Sequence, residues 1–234
     1  MEDTTANMRL RGVNLGGWLV LEKWMKPSLF AGLTATDETT WCAELGAEAP
    51  ARLRAHWDSF ITRADFAWLA ERGINAVRIP LGHWIFGAPY PYHRSYGANP
   101  HPFVEGGIEI LDRAMDWAEE FGLRVVLDLH AAPGCQNGFD NGGIKDVCEW
   151  HTREEYLAHS VEVLGRLAAR YRSRSCLHAI EVLNLVHKSQ VMLVQKNADC
   201  ESTASRMDAV VGIRNDDNFY AKYMAGAYGA VPHF

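Results

Sequence analysis

The chain has 234 residues, 48% hydrophobic and 22% charged, which is the composition of a globular domain with enough apolar material for one sizeable core. Its formal net charge of −6 argues against nucleic acid and anionic membrane surfaces as partners. No window reaches 18 uninterrupted apolar residues, so no membrane-spanning helix is expected.

Residues 1–7 are polar and acidic, without the basic and apolar regions of a secretory leader, and the expectation from them is a cytoplasmic location. Next, residues 10–15 read as a short strand closed by Gly16-Gly17. Thr62 reads as an N-cap with Asp65 three residues on, and the helix it opens stops at Gly73. Residues 75–79 form a short apolar strand that Pro80 ends. Ile108, Leu111, Met115 and Ala118 mark one helical face, stopped by Gly122. Residues 124–129 (RVVLDL) read as a strand buried on both faces. Thr152 reads as a cap with Glu155 at N3, and Leu157, Val161, Leu164, Ala168 and Tyr171 as the apolar stripe that follows. Residues 177–183 are the fourth strand.

This order, β-α-β-α-β-α-β, predicts a parallel sheet with right-handed crossovers. The fold class is α/β, a partial (β/α)8 TIM barrel of about four βα units with an irregular C-terminal segment. A full barrel takes about 250 residues, and four strands have already brought the chain to Asn184. Three stretches result: 1–184 as the N-terminal half of a barrel, 185–215 as an irregular segment, and 216–234 with a C-terminal helix. Val191 to Val194 allow a brief strand. Phe219, Tyr223 and Ala227 share a helical face over 217–228.

Functional side chains of such barrels stand at the C-terminal ends of the strands. Those ends supply Asn14 and Glu22, then Arg78 with His83 and Trp84, then His130, Asn137, Phe139, Asp140 and Asn141, and last Asn184. Polar and aromatic residues together suit sugars, whose hydroxyls need donors and acceptors and whose ring faces need aromatic platforms. Bland alternatives stand beside each: a solvated carboxylate for Glu22, a satisfied core histidine for His130, plain packing for Phe139. Arg78 within an apolar strand is harder to explain without an acidic partner. Of the eight tryptophans, Trp24 and Trp84 lie in loops where a ligand role is plausible.

The five cysteines show no zinc-ligand spacing, and buried free thiols are the plainer reading. Cys135 and Cys148 flank one loop, and the sequence leaves their pairing open. No metal or cofactor is implied, because His83, His93 and His101 lack ligand spacing.

Three motifs, RGVNLGGWLVLEKWMKPSLF (11–30), INAVRIPLGHWIF (74–86) and VVLDLHAAPGCQNGFDNGG (125–143), resemble glycoside hydrolase family 5, and within it the fungal exo-β-1,3-glucanase branch. The resemblance covers about residues 9–184, and FYAKYMAGAYGAV (219–231) is similar to the helix after strand four in that family. It implies a (β/α)8 barrel that hydrolyses β-glucans with retention, using two carboxyl groups about 5 Å apart. By the same matching, Glu22, Arg78, His130, Phe139, Asp140 and Asn184 hold substrate-binding or supporting positions, and β-glucan is the implied partner. Secreted and cell-wall members exist in that family.

The family's acid/base glutamate follows the asparagine that ends strand four. Here Leu185 stands in that place, and the nucleophile of strand seven has no counterpart in this sequence. Catalytic residues are therefore expected to be incomplete, since leucine donates no proton. Glu119 and Glu120 lie on an outer helix, and Glu181 is expected to face away from Asn184 by the period-two alternation of a strand. The pattern breaks at Leu185 and partly returns at Phe219, as though another segment replaced the usual one over 185–215. The readings are a glucanase-like hydrolase inactive as written, a non-catalytic glucan binder, or a non-functional product. Open sheet edges predict self-association.

Overall fold

The computed structural model describes residues 9–91 and 102–185. The brief strand at 191–194, the helix at 217–228, the segment beyond Leu185 and the N-terminal residues behind the cytoplasmic expectation lie outside the described residues.

Four strands, β1 (Gly12–Asn14), β2 (Ala76–Gly82), β3 (Arg124–Ala131) and β4 (Leu177–Glu181), form one sheet in the order β1-β2-β3-β4. Every pairing is parallel. Helices α1 (Glu38–Leu45), α2 (Ala49–Phe60), α3 (Arg63–Glu71), α4 (Gly107–Glu120) and α5 (Glu154–Tyr171) occupy the connections. This is the expected α/β alternation of a partial barrel. α1 and α2 were not legible: α1 (ETTWCAEL) buries Glu38 and Thr39 beside Trp41 and Cys42, so it shows no apolar stripe.

Helix boundaries follow local chemistry. Thr62 is the N-cap of α3 as expected; its N–H donates to the Asp65 carboxylate at 2.7 Å, the reach-back half of a capping box. Gly73 after α3 and Gly122 after α4 adopt φ of +76° and +67°, which glycine enters without steric cost. The cap of α5 is a correction. That helix begins at Glu154 with Arg153 as N-cap, and the Thr152 hydroxyl donates instead to the Glu149 carbonyl at 2.7 Å. Its buried stripe is correspondingly turned, with Tyr156, Ser160, Val163, Leu164, Leu167, Ala168 and Tyr171 inward and Leu157 only partly covered.

Strand boundaries also shift. β2 runs through Pro80 to Gly82 rather than stopping at the proline. The Arg78 carbonyl accepts from Leu15 on the β1 side. Pro80 shares that parity, but β1 has ended at Asn14, so the missing N–H falls where no strand pairs. β4 stops at Glu181, two residues short of expectation.

Alternation divides the sheet. Val77, Ile79 and Leu81 of β2 and Val125, Leu127 and Leu129 of β3 are buried in the main core. There they join Leu111, Ala114, Met115 and Ala118 of α4 and Val163, Leu164 and Leu167 of α5. The intervening residues Arg78, Asp128 and His130 therefore share the opposite face, and that face carries the site. Trp18, Trp41 and Trp57 pack beside this core, fully or almost fully buried. The Trp18 indole donates to the Trp57 carbonyl at 2.9 Å, and His56 Nε2 meets the Gly17 carbonyl at 2.8 Å, so α2 is tied to the turn after β1.

Leu127→Ala opens a cavity where side chains from sheet and helices meet, and is expected to lower stability by roughly 2–5 kcal/mol. Leu157→Ala on the turned-out edge of α5 is expected to cost about 1 kcal/mol or less. Urea unfolding of the two variants against the parent checks both.

Candidate functional site

Arg78 stands on β2, its side chain about one quarter exposed. Its Nε donates to Glu181 Oε2 at 2.7 Å and its Nη2 to Glu181 Oε1 at 2.9 Å, a two-pronged ion pair that only a planar guanidinium makes. Nη2 also meets Asp128 Oδ2 at 2.8 Å and Asn184 Oδ1 at 3.2 Å, and Nη1 donates to Asn14 Oδ1 at 3.0 Å. One side chain thus gathers groups from β1, β3, β4 and the residue that follows β4. This corrects the expected orientation of Glu181: it and Asn184 meet the same guanidinium. Alternation applies only within the strand, and β4 ends at Glu181. Val182 and Leu183 beyond it are both buried, which a regular strand open on one face does not allow.

Asp128 is fully buried and its Oδ2 lies 2.5 Å from His130 Nδ1. Burial pushes the Asp128 carboxyl up, to about 6, against the opposing pull of His130 and Arg78. His130 Nδ1 is thus turned to Asp128, and its Nε2 faces the cleft. Asn184 Nδ2 lies 3.4 Å and Glu22 Oε1 3.9 Å from that nitrogen. Glu22 is buried, and its Oε2 accepts from the Trp24 indole N–H at 3.0 Å. Gly16 permits this approach, because a Cβ there would lie 2.9 Å from Asn14 Nδ2 and 2.8 Å from Met25 Sδ.

The loop after β3 forms the other side. Asn137 Oδ1 accepts from the Phe139 N–H at 2.9 Å, and a 3-10 turn carries Asp140–Gly142. Asn141 is buried and its Nδ2 has no hydrogen-bond partner. The Cys135 and Cys148 thiols at this loop are unbridged, as are Cys42 and Cys176; Cys200 lies outside the described residues.

These groups line one open cleft of about 390 Å³: Asn14, Glu22, Trp24, Arg78, His130, Phe139, Asp140, Asn141, Asn184 and Leu185. All six residues selected from the sequence, and Leu185 with them, meet there. Trp24 is 71% exposed and Phe139 59%, so two aromatic rings stand at its rim with faces available for stacking. Leu185 is 61% exposed with φ of +45°, a conformation that costs a branched residue about 1–2 kcal/mol.

Three expected residues are elsewhere: Asn137 braces the Phe139 loop without lining the cleft, and the other two lie behind it. Trp84 is buried and stacks on Phe103 with centroids 3.7 Å apart. His83 is buried, edge-on to Trp84, Tyr90 and Phe103, and burial holds its imidazole well below the usual range. Both follow β2 immediately but turn under the loop.

Gln136 was missed. It is fully buried; its Nε2 donates to the His130 carbonyl at 2.7 Å and the Asn184 carbonyl at 3.0 Å, and its Oε1 accepts from Ala132 N–H at 3.1 Å. It fixes the backbone on either side of the cleft floor. Its only sequence signal is a polar residue opening a glycine-rich loop. Among the described residues no group of three or more His, Cys, Asp or Glu is placed to hold a metal ion, and no helix is long and apolar enough to cross a membrane.

The family pattern described as cellulase (glycosyl hydrolase family 5) matches residues 42–218, well over half of the chain. The chain belongs to glycosyl hydrolase family 5. A probable glucan 1,3-beta-glucosidase A of Aspergillus fumigatus is 46% identical over 179 residues, which is 75% of this chain and 41% of that protein. A glucan 1,3-beta-glucosidase of Blumeria graminis is 43% identical over 184 residues, 76% of this chain and 41% of its own length. The chain thus spans about two fifths of the curated relatives it matches. The rutinosidase crystal structure from Aspergillus niger superposes with a TM-score of 0.73 at 21% identity, over 91% of this chain and 61% of that one, and supports the family 5 fold.

Arg78→Met removes the cation from buried Asp128 and largely buried Glu181 and is expected to cost roughly 3–5 kcal/mol. Arg78→Lys keeps the charge but not the fork and loses less. Adding Asp128→Asn to Arg78→Met recovers part of the loss, as measured by urea unfolding of the three variants.

Proposed function

We propose that this family 5 chain grips the end of a β-glucan in the cleft between Trp24 and Phe139 without cleaving it. The observation that carries the reading is the convergence of Glu22, Arg78, His130, Phe139, Asp140 and Asn184 on one cleft, with Leu185 lining it at the position where the family resemblance implies a proton donor. Trp24 and Phe139 offer ring faces to a pyranose. Asn141 Nδ2 is an unsatisfied donor, and Glu22 and Asp140 are acceptors for hydroxyls. The names of the curated relatives support glucan as the substrate class.

Cleavage with retention needs one carboxyl to protonate the leaving oxygen and a second to attack the anomeric carbon. Glu22 and Asp140 are the carboxylates that line the described cleft. Glu22 is already engaged by the Trp24 indole and faces His130, an arrangement suited to holding a hydroxyl. Asp128 and Glu181 are committed to Arg78. General acid help is worth roughly 10²–10⁴-fold, and leucine supplies none of it.

The same reading includes self-association. β1 and β4 each pair on one side only within the described sheet, and unpaired edges recruit further strands.

Calorimetric titration of the purified chain with a β-1,3-linked glucose trimer is expected to show saturable binding with no glucose released. Release at an ordinary glycosidase rate would sink the reading. Phe139→Ala is expected to weaken binding by about tenfold, the loss of one stacking platform. Sedimentation velocity is expected to show concentration-dependent species heavier than the 26.2 kDa chain.

A further inference from the structure

The two walls of the cleft belong to different loops, and those loops are joined at a point outside it. The loop between β1 and α1 carries Glu22 and Trp24; the loop after β3 carries Phe139, Asp140 and Asn141. α1 opens with Asp37-Glu38-Thr39, and each of these side chains reaches a loop. Glu38 is buried and its Oε2 accepts from the Leu21 N–H at 2.8 Å, one residue before Glu22. Asp37 accepts from the Thr40 N–H at 2.8 Å through Oδ1, which caps α1, and from the Lys145 N–H at 3.2 Å through Oδ2. The Gly143 carbonyl accepts twice from Thr39, from N–H at 3.1 Å and from the hydroxyl at 2.6 Å. Gly143 has φ of +80°, and a Cβ there would lie 2.7 Å from the Trp84 ring. A larger residue would therefore displace the carbonyl that Thr39 holds.

We propose that Asp37, Glu38 and Thr39 act as a staple that sets the gap between the Trp24 wall and the Phe139 wall, and so the width of the sugar cleft. The proposal rests on the glucan-binding reading above. None of the three lines the cleft, so they are positioning residues. No alternative tie of comparable reach links the two loops among the described hydrogen bonds: Glu22 and Trp24 bond to each other, and Phe139 and Asn141 bond within their own loop.

The staple is sensitive to pH. Burial raises the Glu38 carboxyl to about 8, with neighbouring Asp37 adding to the rise. The groups that face it are Asp37 and Cys42 on its own helix and its cap, Tyr90 beyond β2, and the Trp84 indole. None of these carries positive charge. Oε1 has no hydrogen-bond partner, which suits a neutral acid rather than a buried carboxylate. The folded value lies above the ordinary 4.5. Its contribution to stability is therefore full below the ordinary carboxyl range and is lost as the pH rises toward about 8.

The test uses the full chain, amide hydrogen exchange and the β-1,3-linked glucose trimer. Glu38→Ala is expected to speed exchange at residues 19–25 and, across the cleft, at 138–145, and to weaken the trimer by about tenfold. Glu38→Gln reproduces the neutral acceptor and is expected to keep both within about twofold. The parent's affinity is expected to fall between pH 7 and 9 while that of Glu38→Gln stays level. Thr39→Val, which deletes one of the two bonds to Gly143, is expected to loosen 138–145. A Glu38→Ala effect confined to 19–25 with parental affinity overturns the proposal, as does a Glu38→Gln variant as impaired as Glu38→Ala. Should Glu38→Ala not fold, the pH comparison and Thr39→Val decide, and exchange at 138–145 unchanged in Thr39→Val overturns it. If the parent binds no trimer, the glucan reading fails, while exchange across the two loops still tests the staple.

Discussion

Arg78 meets carboxylates from two neighbouring strands, Asp128 at 2.8 Å and Glu181 at 2.7 Å, and the amides of Asn14 and Asn184 at 3.0 and 3.2 Å. The residues of the cleft floor are referred to this guanidinium directly or through a short chain of partners. Asp128 hands the constraint to His130, His130 faces Glu22 and Asn184, and Glu22 holds Trp24. Such a network is costly to desolvate and tolerates no missing partner, because a buried charge left alone has neither water nor a counter-ion. The floor is consequently rigid in a way that a loop-built site is not.

The walls are held differently. Their hydrogen bonds run mostly within each loop, and the hydrogen-bonded connection between loops passes through the start of α1, beside the packing of Val20 and Ile144 in one apolar cluster. Width and floor are thus controlled by separate parts of the chain. That separation lets the floor keep its geometry while the position after Asn184 carries a leucine. Leu185 takes part in none of the bonds that organise the floor. The side chain at that position can therefore change without disturbing the Arg78 network.

Much of the fold was legible because its signals are local. The apolar runs around Val77 and Val125, the Thr62 cap and the glycine stops at Gly73 and Gly122 each depend on a few consecutive residues. The cleft residues Glu22, Arg78, His130, Phe139, Asp140 and Asn184 were legible because polar groups at strand ends stand out against apolar strands, and because the three long motifs resemble a known family. α1 was not legible, because two of the four residues it buries are Glu38 and Thr39, whose burial is satisfied by Leu21 and Gly143 far away in sequence. Trp84 and His83 were misplaced because strand-end position says nothing about which way a turn folds. Glu181 was misplaced because its strand ends two residues earlier than its apolar run.

The sequence by itself determined the parallel βα order, six residues of the cleft and the leucine that follows Asn184, since composition, spacing and motif are properties of neighbours in the chain. Only the tertiary structure decided that Glu181 and Asn184 share one guanidinium, that Gln136 clamps the floor and that α1 ties the two walls. Each of those facts needs a contact between residues 17 to 108 positions apart, including the Gln136 bond to Asn184. No local pattern encodes them, because the energy that selects each partner is the burial of a polar group that has lost its water.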